Sequence, residues 1–288
     1  MTVLIIGGHG RVGTPAAQKI AELGMKIRVL TRSTDHAKAA GHGIEGVVGD
    51  LENPLSLPSA FEGVDKVFLV TANGETETER GLNAITAAIN AKVSRIIFLS
   101  VKLSPEALKV PHYASKVAIE EAIKKSGTNS TILRPDFFFQ TDLTIGGALM
   151  GGGIYPFPIG NIGQNRIDTR DIADAAVKAL TTKELDNTDV ELFGPKAWTG
   201  DEIASLYSTL LNKTIKYGGD DLDVWAEASK NFMPPWLLNA LKSGFGKMQK
   251  TGSVATSDQV AISQNAVGHP LRRYEDFAAE AIRAWSNE

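Results

Sequence analysis

The chain has 288 residues, room for one large α/β domain or for one domain plus a smaller appendage, and its 43% hydrophobic and 22% charged residues describe an ordinary folded protein. The formal net charge of −3, with Lys and Arg scattered along the chain, leaves no electrostatic footprint for nucleic acid, so no nucleic-acid partner is expected. Cysteine is absent, which excludes disulfides, thiolate catalysis and cysteine-based zinc; no metal site is expected. From the amino terminus, the chain enters a strand without a basic leader. No stretch approaches the ~18 apolar residues of a membrane span, so a cytoplasmic location is expected.

In chain order, Thr2 to Ile6 is a short β-branched run that feeds into Gly7-Gly8-His9-Gly10-Arg11-Val12-Gly13, followed by helix-forming sequence from Thr14 to Leu23. Strand, glycine turn and helix in this order point to a dinucleotide site. The turn must reverse tightly and admit a diphosphate without a Cβ in the way. Gly7, His9, Gly10, Arg11, Val12 and Gly13 are the candidate cradle, offering backbone N–H groups at the positive end of a helix. Strands are then expected at Lys26 to Leu30, Val47 to Val48, Lys66 to Val70, Arg95 to Leu99 and Ser130 to Leu133. Helices are expected between them, notably Thr78 to Ala91 and Ala114 to Lys124. Apolar strands alternating with amphipathic helices predict an α/β, Rossmann-like, doubly wound parallel sheet.

Strand ends supply the ligand candidates, because ligands of open α/β sheets lie beyond the carboxyl ends of the strands. After the second strand comes Thr31-Arg32-Ser33, with no carboxylate where an NAD enzyme places one for the ribose hydroxyl. Arg32 would instead fork onto a 2′-phosphate, helped by Thr31, Ser33 or Lys38, so NADPH is preferred over NADH; the plain alternative is a solvated loop cation. Asp50-Leu51 follows the third strand, where the carboxylate would meet the adenine amino group or cap a turn. Thr71-Ala72-Asn73, Ser100 and Pro135 follow the fourth, fifth and sixth strands.

The Gly7-x-x-Gly10-x-x-Gly13 loop, Arg32, Gly49-Asp50, Lys116 in Ser115-Lys116-x-x-x-Glu120, Thr131-Ile132-Leu133-Arg134-Pro135 and Asp168-x-Arg170-Asp171-Ile172-Ala173 together resemble the NmrA-like family. That family is a branch of the atypical short-chain dehydrogenase/reductases, and the resemblance runs on through Phe193-Gly194-Pro195 to His269-Pro270 and Phe277. It implies a Rossmann domain with a smaller, mostly helical carboxyl-terminal domain. It also implies either a quinone, azo-dye or triphenylmethane-dye reductase or a non-catalytic NADP(H)-binding redox sensor that regulates a protein partner. In the family the lysine matching Lys116 points toward the nicotinamide ribose or the substrate.

Chemistry centres on Lys116. Ordinary short-chain reductases place tyrosine four residues before the lysine, whereas here that position holds His112 and Tyr113 is three before, so Tyr113 is a proton donor only if its hydroxyl is re-aimed. His112 is a second candidate donor. The bland reading of Lys116 is a solvent-facing side chain paired with Glu120 one turn on. Electron-poor acceptors take hydride readily, so an apolar pocket would suffice. Phe137, Phe138, Tyr155 and Phe157 are its candidate walls, against the alternative that some are core. Where the family usually carries asparagine at the end of the phenylalanine run, this chain has Thr141.

Glycines at 146–147 and 151–153 mark a change of domain, giving an expected Rossmann domain over 1–152 with a return segment at 165–182, and a substrate domain over 153–288. Asp168 and Asp171 are expected to brace the return helix. Glu191 to Phe193 reads as a short strand, and Thr199-x-x-Glu202 as a capping box opening a helix to Leu211. Helices interrupted by Pro234-Pro235 are expected from Asp220 to Met248, closing over the substrate, and a last helix from Tyr274 to Trp285. A small-molecule acceptor is the expected partner, with a homodimer or a protein partner as further possibilities.

Overall fold

The computed structural model describes residues 1–39, 43–103 and 111–286. In chain order the elements are β1 (Thr2–Ile6), α1 (Gly13–Glu22), β2 (Lys26–Thr31), α2 (Thr34–Ala39), β3 (Ile44–Val48), α3 (Pro58–Phe61), β4 (Lys66–Leu69), α4 (Glu77–Asn90), β5 (Arg95–Leu99), α5 (Pro111–Lys125) and β6 (Asn129–Pro135). There follow α6 (Gly146–Met150), β7 (Ile154–Tyr155), α7 (Thr169–Thr181), β8 (Thr188–Leu192), α8 (Gly200–Leu211), β9 (Lys216–Tyr217), α9 (Leu222–Ser229), α10 (Pro235–Thr251), α11 (Ser257–Val267) and α12 (Tyr274–Ser286). Among the described residues no helix is long and apolar enough to cross a membrane.

Two compact units result. The first comprises Met1–Pro135, Thr169–Leu192 and Gln264–His269; the second comprises Asp136–Asp168, Phe193–Ser263 and Pro270–Glu288. The break therefore follows Pro135 rather than residue 152, because β6 ends there and the chain rejoins the first unit only where α7 begins.

The first unit holds a seven-stranded sheet in the order β3-β2-β1-β4-β5-β6-β8, parallel at every pair. Its central strands are apolar on both faces: Val3, Leu4 and Ile5 of β1 and Ile97 and Phe98 of β5 have no exposed surface. Only a sheet covered on both sides accommodates such runs. The helices supply the cover, α1 packing beside α7 and α4 beside α5. Gly81 lets the last pair approach closely, since a Cβ there would stand 2.4 Å from Ile119. The chain runs outward from β1 to β3 and then crosses back to β4 on the other side of β1. The strand order thus reverses beside the carboxyl end of β1, the position where ligands of such sheets are held.

The second unit is mostly helical around an aromatic core of Phe139, Tyr155, Phe157, Trp198, Tyr207, Trp225, Phe245, Tyr274 and Phe277, with β7 and β9 as a two-stranded parallel ladder. Arg166 lies inside that core with no exposed surface. Its guanidinium forks onto Asp142 (Nη1 to Oδ2 2.8 Å, Nη2 to Oδ1 2.5 Å) and donates to the Tyr155 hydroxyl at 3.2 Å, the Tyr274 hydroxyl at 3.3 Å and the Phe138 carbonyl at 3.0 Å. The capping box is present: Glu202 N donates to Thr199 Oγ1 at 3.2 Å while Thr199 N donates to Glu202 Oε2 at 2.9 Å. Pro235 occupies the first turn of α10, and Asp168 Oδ1 accepts from Gln140 Nε2 at 2.8 Å.

Candidate functional site

The glycine loop is sterically committed. Gly7 has φ +79°, and a Cβ there would meet the Val70 carbonyl oxygen at 2.8 Å. At Gly13 a Cβ would lie 2.2 Å from the Gly7 oxygen, so the first turn of α1 rests directly on the loop backbone. Gly10 N donates to Gly7 O at 3.0 Å and the Thr14 hydroxyl donates to Gly8 O at 3.0 Å, which fixes the turn. Val12 is buried at the N-cap of α1, with no side-chain cap and no acidic residue in the first turn. His9, Gly10 and Arg11 form the exposed tip. Backbone without Cβ atoms at the positive end of a helix whose start no carboxylate occupies fits an anionic diphosphate.

Beside the loop, Thr31 is buried at the end of β2 and Arg32 is exposed. Ser33 N donates to Thr31 Oγ1 at 3.2 Å, and Ser33 Oγ accepts from His36 N at 3.2 Å. No carboxylate follows β2 until Asp35. Asp50 is half-buried after β3, and its Oδ1 accepts from Glu52 N at 3.0 Å, so the carboxylate braces its own turn. Leu51 is half-buried with its carbonyl accepting from Asn83 Nδ2 at 2.7 Å, and Ala72 and Asn73 are exposed beyond β4. Pro135 is buried, and its carbonyl accepts from Lys102 N at 3.1 Å.

Lys116 is not the solvated lysine of the bland reading. It is 4% exposed, and its ammonium carries three N–H donors against three internal acceptors: Glu77 Oε1 at 2.8 Å, Thr71 Oγ1 at 2.9 Å and Leu99 O at 3.3 Å. Glu77 is 1% exposed and also accepts from the Thr71 hydroxyl (Oε1, 2.8 Å) and the Ser115 hydroxyl (Oε2, 2.8 Å). Glu120, the expected partner, instead accepts from the Ser100 hydroxyl at 2.5 Å and from Arg134 Nε at 3.0 Å. Burial lowers the Lys116 pKa, and the Glu77 carboxylate opposes that by favouring the charged amine. The result is a buried polar knot at the carboxyl end of β4 and β5, tying Thr71, Ser115 and Lys116 to one carboxylate. Tyr113 is half-buried on α5, and the His112 side chain lies outside the described residues.

Sequence reasoning passed over Glu77, which lies in the charged run Glu75-Thr76-Glu77-Thr78-Glu79 and looks solvated. A signal existed: Glu77 is in helical register with Gly81, Ala84, Ile85 and Ala88, the buried stripe of α4.

In the second unit Phe137 and Phe138 are half-buried, whereas Tyr155 has no exposed surface and Phe157 is buried at 6%. Phe137 meets Phe157 and Phe245 at ring separations of 6.3 and 6.1 Å, so Phe137, Tyr155 and Phe157 join the aromatic core.

The model of the NmrA-like family matches residues 1–264. The NAD(P)H azoreductase of Xenophilus azovorans is 28% identical over 280 residues, covering 96% of each chain. The (4-alkanoyl-5-oxo-2,5-dihydrofuran-3-yl)methyl phosphate reductase of Streptomyces griseus subsp. griseus is 30% identical over 291 residues, 99% of this chain and all of that one. Among solved structures, the NADPH-dependent quinone oxidoreductase of Escherichia coli, complexed with NADPH, superimposes with TM-score 0.85 at 22% identity, covering 96% of this chain and 99% of that one.

Proposed function

The chain belongs to the NmrA-like family, and from that premise we propose that it is an NADPH-dependent reductase of a small aromatic or quinone-like acceptor. The observation that carries this reading is the loop from Gly7 to Gly13, where backbone contacts at Gly7 and Gly13 exclude any side chain and leave a surface for a diphosphate. Two relatives matched over almost their whole length are reductases, one of them named for NAD(P)H. When bound, the cofactor supplies the hydride. The protein then has to bind, orient and exclude water.

In this reading Gly7, His9, Gly10, Arg11, Val12 and Gly13 hold the diphosphate, and Arg32 with Thr31 and Ser33 holds the 2′-phosphate. Asp50, Leu51, Thr71, Ala72, Asn73, Ser100 and Pro135 line the strand ends along the cofactor's length. Lys116 acts as a positioning residue. Its three N–H groups fix Thr71 and the end of β5, and its charge lies close beneath the strand ends. Protons come from water or from Tyr113.

The experiment is direct: mix the purified protein with NADPH and a panel of quinones, and follow the nicotinamide absorbance. Oxidation with at least one quinone is expected. Tight NADPH binding with no oxidation of any acceptor would replace this reading by that of an NADP(H)-binding sensor. Loss of a charge-assisted hydrogen bond costs about 1.5–3 kcal/mol, so Arg32→Ala is expected to weaken NADPH binding roughly 10- to 100-fold. NADH binding should stay within about twofold, since it lacks the phosphate. Equal losses for both coenzymes would remove Arg32 from the 2′-phosphate.

A further inference from the structure

His9 and His36 meet across two segments of the first unit. His9 projects from the glycine loop after β1, and His36 stands on α2 after β2; their ring centroids are 5.4 Å apart with planes tilted by 50°. Both side chains are exposed. The turn closed by Gly10 N on Gly7 O carries His9 outward, and the Ser33 hydroxyl that accepts from His36 N ties α2 to the turn after β2 in which Arg32 lies. Two imidazoles therefore stand together beside the glycine loop, and Arg32 lies in the turn that leads into the helix carrying one of them.

We propose that His9 and His36, together with Arg32, form a proton-linked clamp on the 2′-phosphate of NADPH, so that proton concentration sets the preference for NADPH over NADH. The proposal rests on the cofactor reading above. Arg32 is charged at every working pH and gives the pH-independent share of that preference. Imidazole is the side chain whose charge ordinarily changes between pH ~5 and ~8, and a phosphate monoester gains its second charge near pH ~6, so two histidines set against a phosphate link proton binding to ligand binding. Two protonated imidazoles side by side repel each other. A phosphate dianion set against both removes that repulsion and favours their protonation, so binding takes up protons. Charged residues in the same segments are Arg11 in the loop, Asp35 and Lys38 on α2, and Asp50 after β3.

Calorimetry on the full chain with NADPH and with NADH at pH 6.5, 7.5 and 8.5, in two buffers of different ionisation enthalpy, tests this. A rise of one unit in imidazole pKa on binding gives roughly a tenfold gain in affinity, so NADPH should tighten about tenfold between pH 8.5 and 6.5 with measurable proton uptake. NADH should change less than about twofold. His9→Gln and His36→Gln should each flatten the NADPH slope, weakening binding at pH 6.5 and not at pH 8.5. A slope that survives in the double variant, or an equal slope for NADH, overturns the clamp while leaving the cofactor reading intact. Binding of neither coenzyme at any pH overturns both.

Discussion

Replacing Asp142 with alanine is expected to destabilise the protein by about 3–5 kcal/mol, the usual cost of removing one partner of a buried ion pair. Arg166 cannot lose its proton and has no route to water, since both side chains have no exposed surface. Without Asp142 the guanidinium keeps, among the described residues, the hydroxyls of Tyr155 and Tyr274 and the Phe138 carbonyl, and Arg166 Nε already lies buried with no hydrogen-bond partner among them. The faces of Phe137 and Tyr274, 5.2 and 4.9 Å from the guanidinium carbon, soften the loss without replacing a counter-ion. Urea titration reads the effect. Asp142→Asn keeps shape and one acceptor and should lose less; a pair exchanged for apolar residues, Asp142→Leu with Arg166→Met, should recover much of the deficit. A loss below about 1 kcal/mol for Asp142→Ala would show that water reaches the site.

The same cluster predicts a pH limit. Burial and the Asp142 charge raise the pKa of Tyr155 and Tyr274 well above the ordinary tyrosine value. Both stay protonated in the folded chain where the unfolded chain has begun to ionise, so the native state holds more protons above pH ~10. Their contribution is fully present below that pH and is lost as pH rises further. Alkaline unfolding of the wild type, followed by circular dichroism against pH, should begin near this point.

What the sequence made legible was local. The glycine loop, the Thr199–Glu202 capping box and the parallel strands are set by neighbours a few residues apart, where backbone sterics and hydrophobic period decide the outcome. α11 was passed over because Ser257 to Val267 is rich in polar residues and shows little amphipathic period. β7 and β9, two residues each, have no period to read. The two buried ion pairs were beyond reach for another reason. Asp142 and Arg166 are 24 residues apart, and Glu77 reaches Lys116 only because α4 and α5 pack side by side, so neither pairing follows from any local rule. The sequence boundary at the glycines of 146–153 failed similarly, since those glycines lie within and just after α6 of the second unit rather than between units.

Glu77→Ala is expected to be as damaging at neutral pH, about 3–5 kcal/mol, because it leaves the Lys116 ammonium buried with only neutral acceptors. Here, unlike at Arg166, the stranded group can respond. Burial already lowers the Lys116 pKa, and removing Glu77 takes away the largest influence that raises it. The sign follows from proton counting: between the lowered folded value and the ordinary lysine value near 10.4, the unfolded chain binds more protons than the native one, so stability rises with pH across that window. The deficit of Glu77→Ala relative to wild type should therefore be widest near pH 7 and narrow at pH 9.5 in urea titrations. Lys116→Met, which removes the charge, should make a subsequent Glu77→Ala far cheaper than in the wild type, so that the double variant unfolds later than Glu77→Ala alone. A deficit independent of pH, with additive single variants, would mean that Glu77 serves the Thr71 and Ser115 hydroxyls and not the lysine.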